Sequence, residues 1–400
     1  CERSLRPAQR HPKVSPAMSA AAKNRPMRIL CVHQAAELYG SDRSFLQVVQ
    51  AIRAGWPDAH LRVILAADGP LRPLLEKTAD EVLIRDLCVL RLANPVSTLF
   101  KATVGLGYFV GRALREIARA DLGYINTTVI ADYMVAARLA GGKCVIHVRE
   151  IPKPKAMPVV RGLVRGSRAR IIYNSHATGE AFALPASQAQ TVIHNGVDPV
   201  ADPAPPVLPD AFSAGRPLKI AMLGRISDWK GQDLLIDAVA ALPAADRCRL
   251  AVHIVGSTFR NAPEPIAALQ HKIDAAGLTG VVTLEPFKDD PAEVYRWSDI
   301  CAVPSRLPEP FGRVAAEAMS HARPVIAARH GGLVEIVTDG TSGWLFTPND
   351  AASLGAAIKS ALDAPDKVAA MADEALARFT DKFSSATMAQ KIREALGSAI

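Results

Sequence analysis

The chain has 400 residues, a net charge of +8 and 49% apolar residues. This length exceeds what one ordinary hydrophobic core organises, so two domains are expected. No apolar run reaches the ~20 residues of a membrane-spanning helix, and the six scattered cysteines include no C-x-x-C pair, which argues against a zinc site. Buried free thiols in a reducing compartment explain these cysteines, so a cytoplasmic location is expected.

Residues 1–26 are expected to form a disordered basic tail. Six lysines and arginines in this segment face one acidic residue, Glu2, and no apolar stretch typical of a secretion signal is present. Because the sequence opens on Cys1, Met18 or Met27 is expected to be the natural start. The charge fits a solvated tail, while the lack of an aromatic stacking pattern beside it argues against a nucleic-acid partner.

Short apolar runs and helical stretches alternate after the tail. A helix is predicted to begin near Arg43, with Ser41 or Asp42 as its cap. Strands alternating with helices predict a parallel sheet covered on both faces, so residues 27–200 are assigned to a first Rossmann-like domain. Its predicted strands are residues 27–33, 61–66, 81–84, 123–126, 143–147, 170–173 and 191–194.

A proline-rich stretch separates this region from a second α/β pattern. Six prolines between residues 198 and 217 predict a linker at 201–216. A second Rossmann-like domain is assigned to 217–375, and a C-terminal helix at 376–400 is expected to pack back on the first domain. The predicted strands are 218–223, 250–255, 281–283, 300–303 and 324–328, and the predicted helices 232–241, 263–275, 292–298, 312–320 and 351–362. The fold class is therefore α/β, with two Rossmann-like domains facing across a cleft that is the default ligand site.

The loop after the fourth predicted strand of the second domain carries the strongest local pattern. A helix is predicted to start near Gly312, where the missing side chain lets a ligand approach the backbone. The amides of Gly312, Arg313 and Val314 at the positive end of this helix favour a phosphate. Glu317, about one and a half turns into the helix, suits a ribose hydroxyl pair, and Glu309 suits sugar hydroxyls. An ordinary capped helix with a solvated Glu309 is the alternative.

A second pattern follows the first predicted strand of the second domain. Gly224 permits a tight turn, and Arg225 and Lys230 are able to converge on a diphosphate, the arginine as a fork and the lysine as a point charge. The glycines are too sparse for a dinucleotide or Walker loop. A charged surface turn is the alternative.

Together the two patterns resemble the retaining glycosyltransferases of the GT-B fold, in the large family usually called family 4. The resemblance covers nearly the whole chain after residue 26 and is looser in the first domain. The matching residues are Gly224-Arg225, Lys230-Gly231, Pro304-Ser305, Glu309-Pro310-Phe311-Gly312, Glu317, residues 324–327, residues 194–198, Gly331-Gly332 with Glu335, and Asp339-Gly340 with Gly343.

The resemblance implies a role for each matching side chain in the second domain. Arg225 and Lys230 would bind the donor diphosphate and stabilise the leaving group. Glu309 and Glu317 match the two acids of the family's E-x7-E pattern, the first holding donor sugar hydroxyls and the second the ribose. The implied donor-binding residues are Gly40, Ser41, Gly224, Ser305, Phe311, Gly312, Arg313, Val314 and Glu317.

The first domain would supply the acceptor side. His147 ends a predicted strand, where ligands bind in such sheets, and family members often carry a histidine here near the donor sugar, so His147 is the fourth expected catalytic residue. A structural histidine is the alternative. Asn126, Asn174 and Glu150 are expected to line the cleft, although both asparagines also suit helix caps. Gly40 and Ser41 stand where the family has a glycine-rich loop, which this sequence matches less closely.

The implied reaction is transfer of a sugar from a UDP- or GDP-sugar to an acceptor hydroxyl with retention, by a same-face displacement. No cofactor or metal is expected, because Arg225, Lys230 and the helix N-terminus supply the positive charge, and no convincing D-x-D motif is present. The resemblance to this family implies a role in polysaccharide, lipopolysaccharide or glycolipid assembly. A nucleotide-sugar epimerase or hydrolase and a non-catalytic nucleotide-sugar binding protein stay open as alternatives.

A basic and apolar cluster in the first domain fits two arrangements. It suits peripheral contact with anionic lipid on the inner face of the membrane, as for a lipid-linked acceptor, or an amphipathic helix packed on its own domain. Its members are Lys153, Lys155, Met157, Val159, Val160, Arg161, Leu163, Val164, Arg165, Arg168 and Arg170.

Overall fold

The computed structural model describes residues 25–38, 40–90, 105–258, 262–288 and 290–399. Its first sheet has seven strands in the order β3-β2-β1-β4-β5-β6-β7, and the described pairings are all parallel. The strands are β1 (Arg28–His33), β2 (His60–Leu65), β3 (Glu81–Ile84), β4 (Leu122–Asn126), β5 (Cys144–Val148), β6 (Arg170–Tyr173) and β7 (Gln190–Val192).

Helices cover both faces of this sheet, as the alternation of elements predicted. Successive side chains of a strand point to opposite faces, so Ile125 and Ile146 enter one core while Tyr124 and Val145 enter the other. The helices are α1 (Gly40–Gly55), α2 (Arg72–Glu76), α3 (Leu106–Ala118), α4 (Ala131–Leu139), α5 (Met157–Ser167) and α6 (His176–Phe182).

The second sheet repeats the pattern with six parallel strands in the order β10-β9-β8-β11-β12-β13. The strands are β8 (Leu218–Leu223), β9 (Leu250–Val255), β10 (Val282–Glu285), β11 (Ile300–Val303), β12 (Val325–Ala328) and β13 (Gly343–Phe346). The helices are α7 (Gln232–Ala240), α8 (Ala244–Arg247), α9 (Glu264–Ala275), α10 (Ala292–Trp297), α11 (Arg313–Ser320), α12 (Leu333–Ile336) and α13 (Ala351–Leu362).

Two C-terminal helices connect the domains. α14 (Pro365–Lys382) packs on α11 of the second domain, and α15 (Ser385–Gly397) packs on α1 of the first. The α14 helix continues through residues 375 and 376, where the second domain was predicted to end, so the crossing comes later in the chain. The chain crosses between the domains beside Val197. The N–H of Val197 donates to the carbonyl oxygen of Phe383 at 2.9 Å, and the Val197 carbonyl oxygen accepts from the N–H of Ser385 at 2.8 Å.

Several local predictions differ from the structure. α1 already begins at Gly40, so Ser41 and Asp42 lie inside its first turn, and the Asp42 carboxylate instead contacts buried His33 at 2.7 Å. A four-residue helix such as α12 shows no helical period, and β13 begins at Gly343, a residue type that strands disfavour, so neither element was predicted.

Two segments, the tail and the linker, were predicted to lack regular structure. Residues 1–24 of the predicted tail lie outside the described residues, whereas Arg25 forms an ion pair with Asp121 at 2.6 Å. The 201–216 stretch contains neither helix nor strand, and its last residue, Arg216, holds Asp299 of the second domain through two hydrogen bonds of 2.8 Å. Among the described helices, none combines the length and apolar character needed to cross a membrane.

In each sheet the strand order reverses once, between β1 and β4 in the first and between β8 and β11 in the second. At such a reversal the loops that follow the two neighbouring strands run to opposite faces of the sheet and leave a crevice at the carboxyl ends where ligands bind. The loops after β8 and β11 are those that carry the two patterns identified in the sequence.

Candidate active site

A cleft of about 320 Å³ lies between the domains at the reversal point of the second sheet. The first domain contributes Leu38, Gly40 and Arg43 to its wall. The second domain contributes all the others, among them Gly224, Arg225, Lys230, Phe287, Lys288, Tyr295, Glu309, Gly312, Arg313, Val314 and Glu317. The loops after β8 and β11 therefore face one space, with Gly40 opposite them.

Glu309 is 6% exposed, and its carboxylate is satisfied by two donors. Oε1 accepts from Lys230 Nζ at 2.6 Å and from Ser305 Oγ at 2.6 Å. The ammonium of Lys230 also lies 4.2 Å from the ring centre of Trp229, a cation–π geometry. These contacts join the two loops and hold one positive and one negative group at the cleft wall.

Each of the two loops contains a glycine with positive φ. Gly231 has φ 81°, and a Cβ there would lie 2.1 Å from the carbonyl oxygen of Pro304. Gly312 has φ 103°, immediately before α11 begins at Arg313. The first amides of a helix lack intrahelical acceptors and carry partial positive charge, so the start of α11 presents donors beside the cleft.

Glu317 lies one turn into α11, between two donors. Its Oε1 accepts from Arg313 Nε at 2.8 Å and its Oε2 from the Tyr295 hydroxyl at 3.2 Å. Burial, followed by the neighbouring Glu317 charge, raises the pKa of Tyr295 well above its usual range, so the phenol keeps its proton. The carboxylate is thus held in one orientation at the cleft.

Arg313 also reaches the first domain. Its Nη1 donates to the carbonyl oxygen of Gly196 at 3.0 Å, and a Cβ at Gly40 would lie 3.6 Å from its Cδ. Ser305 and Phe311, both expected to bind the donor, are buried. Ser305 supports Glu309, and Phe311 belongs to the hydrophobic core, so neither lines the cleft.

The expected catalytic residue His147 is fully buried, which differs from its predicted place near the donor sugar. Its Nδ1 lies 2.6 Å from the Tyr124 hydroxyl and 3.3 Å from Nη2 of Arg149, and its Nε2 has no partner among the described residues. Burial, and then the Arg149 charge, lower the pKa of His147 well below 6.5. The alternation along β5 turns this side chain toward the face that α1 and α15 cover.

Asn126 lies in the same buried layer instead of lining the cleft. Its Nδ2 lies 2.9 Å from Nδ1 of His33, and its Oδ1 accepts from Arg149 Nε at 2.5 Å. Arg149 also donates to Asn195 Oδ1 at 2.5 Å. Arg149 was not predicted as a functional residue from the sequence, although it stands two positions after His147 at the same strand end.

Asn174 and Glu150 also serve the first domain internally. Asn174 donates to the Arg149 carbonyl at 3.1 Å and accepts from Thr178 Oγ1 at 2.8 Å. Glu150 accepts from the N–H and the hydroxyl of Thr128, both at 2.7 Å, while burial raises its pKa. Neither residue is part of the cleft wall.

Glu335 connects the two domains beside this site. Its carboxylate accepts from the N–H groups of His176 and Ala177, each at 2.9 Å, and lies 2.8 Å from Nε2 of His194. Burial opposes its ionisation, but the hydrogen bonds from His194 and the two amides outweigh burial and lower the pKa of Glu335. The sequence marked Glu335 only as a family match, since its partners are distant along the chain.

In the part of the chain that the structure describes, no group of three or more His, Cys, Asp or Glu side chains is arranged to hold a metal. The adjacent acids Asp289 and Asp290 precede α10, and Asp289 lies outside the described residues. Asp290 accepts from the N–H of Ala292 at 2.9 Å, as expected for a residue at the start of α10.

Residues 209–378 match the sequence profile of the family described as glycosyl transferases group 1. The D-inositol 3-phosphate glycosyltransferase of Rhodococcus opacus (strain B4) is 32% identical over 354 residues, which cover 81% of this chain and 77% of that protein. The enzyme of the same name from Mycolicibacterium smegmatis is 31% identical over 334 residues, covering 76% and 73%.

Solved structures with the same architecture include Anabaena Alr3699/HepE in complex with UDP. Its TM-score is 0.76 at 26% identity, with 93% of this chain and 100% of that chain covered. The complex of the same protein with UDP-glucose gives 0.74 at 27% identity, with the same coverage. The GT-B arrangement of two Rossmann-like domains is thereby confirmed, and the match along most of the Rhodococcus enzyme shows that this chain belongs to the glycosyl transferases group 1 family.

Proposed function

We propose that this glycosyltransferase moves a sugar from a nucleoside diphosphate sugar to an acceptor hydroxyl. The observation that carries the proposal is the convergence of Arg225, Lys230 and the start of α11 on one cleft that also holds Glu309 and Glu317. The cationic groups suit a diphosphate, and the two carboxylates suit hydroxyl groups. The UDP and UDP-glucose bound by Alr3699/HepE support a UDP-sugar as the donor.

In the proposed reaction the acceptor oxygen forms a bond to the anomeric carbon while the bond from that carbon to the diphosphate oxygen breaks. The leaving diphosphate accepts the proton of the acceptor hydroxyl, and both steps occur on one face of the sugar, so the anomeric configuration is retained. Arg225, Lys230 and the α11 amides stabilise the charge that develops on the leaving group. Because these groups supply positive charge, we propose that no divalent metal is required.

The acceptor is proposed to be a saccharide, a polyol or a lipid-linked glycan. The relatives named D-inositol 3-phosphate glycosyltransferases support a polyol as the acceptor. The resemblance to the family supports a role in polysaccharide, lipopolysaccharide or glycolipid assembly. The surface formed by α5 and the residues that flank it supports peripheral contact with an anionic membrane. Val160 and Val164 pack inward on the domain, whereas Val159 and a basic set point outward; that set is Lys153, Lys155, Arg161, Arg165 and Arg168.

A thermal-shift screen against UDP, GDP, ADP and UDP-sugars tests the donor site directly. A ligand that binds the native state raises the melting temperature by an amount that grows with its affinity and concentration. We expect a rise with UDP and UDP-sugars, and no rise with any nucleoside diphosphate would contradict the proposal.

Product analysis with labelled donor then separates the remaining alternatives. Label in a new glycoside only when acceptor is present indicates transfer. Free sugar or an epimerised nucleotide sugar without acceptor indicates hydrolysis or epimerisation, and binding without turnover indicates a non-catalytic protein. The anomeric signal of the product tests retention, and the rate in EDTA tests metal independence.

A further inference from the structure

The carboxylate of Glu335, in the second domain, contacts the first domain. It stands on α12 and receives hydrogen bonds from the first two N–H groups of α6, at His176 and Ala177, each at 2.9 Å. The same carboxylate contacts Nε2 of His194 at 2.8 Å. A carboxylate at a helix N-terminus is favoured by the helix dipole, and hydrogen bonds to a charged group are stronger than neutral ones.

The α12 helix is tied to the loop that carries Glu309. The N–H of Gly332, immediately before α12, donates to the backbone carbonyl of Glu309 at 2.8 Å. A Cβ at Gly331 would lie 2.5 Å from that same carbonyl oxygen, so the two backbones are in direct contact. A displacement of α12 therefore displaces the Glu309 backbone.

A second contact holds the same loop to α6. Thr178 Oγ1 lies 3.2 Å from the carbonyl oxygen of Pro310, the residue after Glu309, and 2.8 Å from Oδ1 of Asn174, so these two acceptors share its one proton. On the other side, Arg378 of α14 donates to the carbonyl oxygen of Glu335 at 2.7 Å. The loop that carries Glu309, α12 and α6 thus form one connected unit that spans both domains.

We propose that Glu335 is a positioning residue. It fixes the position of the Glu309 loop, and with it that of the donor sugar, relative to the first domain, where the acceptor is proposed to bind. The inference rests on the proposed transfer reaction. A misplacement of about 1 Å between reactants costs on the order of 100-fold in rate. Transfer to a bound acceptor needs this alignment, whereas attack by water, which approaches from many directions, does not.

The test compares Glu335→Gln and Glu335→Ala with the exposed control Glu374→Gln on α14. UDP affinity, transfer kcat and the rate of donor hydrolysis without acceptor are measured for each. We expect UDP affinity within about twofold of wild type, because no donor contact is removed. Transfer kcat is expected to fall about tenfold or more in the alanine variant, with hydrolysis unchanged. The glutamine variant, which keeps one acceptor oxygen, should lose less.

Thr178→Val removes the hydroxyl that reaches Pro310 and tests the same unit independently. It should lower the ratio of transfer to hydrolysis in the same direction, and it carries the test if the Glu335 variants do not fold. An unchanged ratio in every folded variant, or a parallel loss of UDP affinity and both rates, would overturn the inference. A wild-type protein that binds no nucleoside diphosphate would instead overturn the proposed function.

Discussion

Lys230 and Glu309 form the ion pair that joins the two loops of the donor side, with Nζ 2.6 Å from Oε1. The pair is mostly shielded from solvent, and Ser305 donates to the same oxygen. A diphosphate in the cleft would take hydrogen bonds from the ammonium, and sugar hydroxyls would donate to the carboxylate. The pair therefore keeps both groups oriented at the place where the proposed donor binds.

Removing the ammonium should slow the reaction at the leaving group. Lys230→Ala is expected to lower kcat/KM for transfer on the order of 100-fold to 1000-fold, the range found when one electrostatic stabiliser is deleted. Lys272→Ala is the matched control, because Lys272 also pairs with a carboxylate at 2.6 Å, that of Asp237, away from the cleft. Equal activity of Lys230→Ala and Lys272→Ala would show that Lys230 plays no part in catalysis.

Glu317→Gln should weaken nucleotide binding more than it slows the chemical step. A carboxylate accepting ribose hydroxyls contributes about 1.5–3 kcal/mol, so the Kd for UDP is expected to rise about tenfold or more. The wild type should bind UDP more tightly than 2′-deoxy-UDP, and the variant should lose this preference. Glu264→Gln, on the exposed face of α9, is the control. An unaltered preference in Glu317→Gln would place the ribose elsewhere.

Buried histidines should make the fold sensitive to mild acid. Burial lowers the pKa of His147 well below 6.5, so below pH 6.5 the unfolded chain binds a proton there that the folded chain does not. Acid therefore favours unfolding, and His147 alone should reduce the free energy of unfolding by on the order of 1 kcal/mol at pH 5.5.

Urea denaturation of wild type, His147→Gln and the exposed control His271→Gln at pH 7.5 and 5.5 measures this effect. The His147→Gln variant should lose less stability between the two pH values than the wild type, by on the order of 1 kcal/mol. The His271→Gln variant should lose as much as the wild type. An identical loss in all three proteins would contradict the assignment of His147 as a buried neutral group.

Liposome flotation tests whether the basic surface around α5 binds anionic lipid. The protein should float with vesicles that contain anionic lipid and not with zwitterionic vesicles, and binding should weaken in about 1 M salt, where screening is strong. Each basic residue near such a surface contributes about 1 kcal/mol, so Lys153→Glu with Lys155→Glu should weaken binding at least tenfold. The matched pair Lys367→Glu with Lys382→Glu, exposed on α14, should not. Flotation that is independent of anionic lipid would contradict the proposed membrane contact.

The sequence by itself was sufficient for the alternation of strands and helices, the parallel sheets and the two donor-side loops. Buried parallel strands are short apolar runs that stand out between helices, so β3, β6, β8, β9 and β11 were predicted with the bounds they have in the structure. Glu309, Gly312 and Glu317 lie within one turn and one helix, where spacing along the chain sets spacing in space.

Only the tertiary structure decided what the first domain contributes. The face that His147 takes depends on which side α1 and α15 cover, and those helices stand far from it along the chain. Arg149 becomes the centre of a buried network for the same reason. Glu335 meets partners 141 and 159 residues away, at His194 and His176. Local pattern carries no information about such contacts, because they exist only after both domains have folded and met.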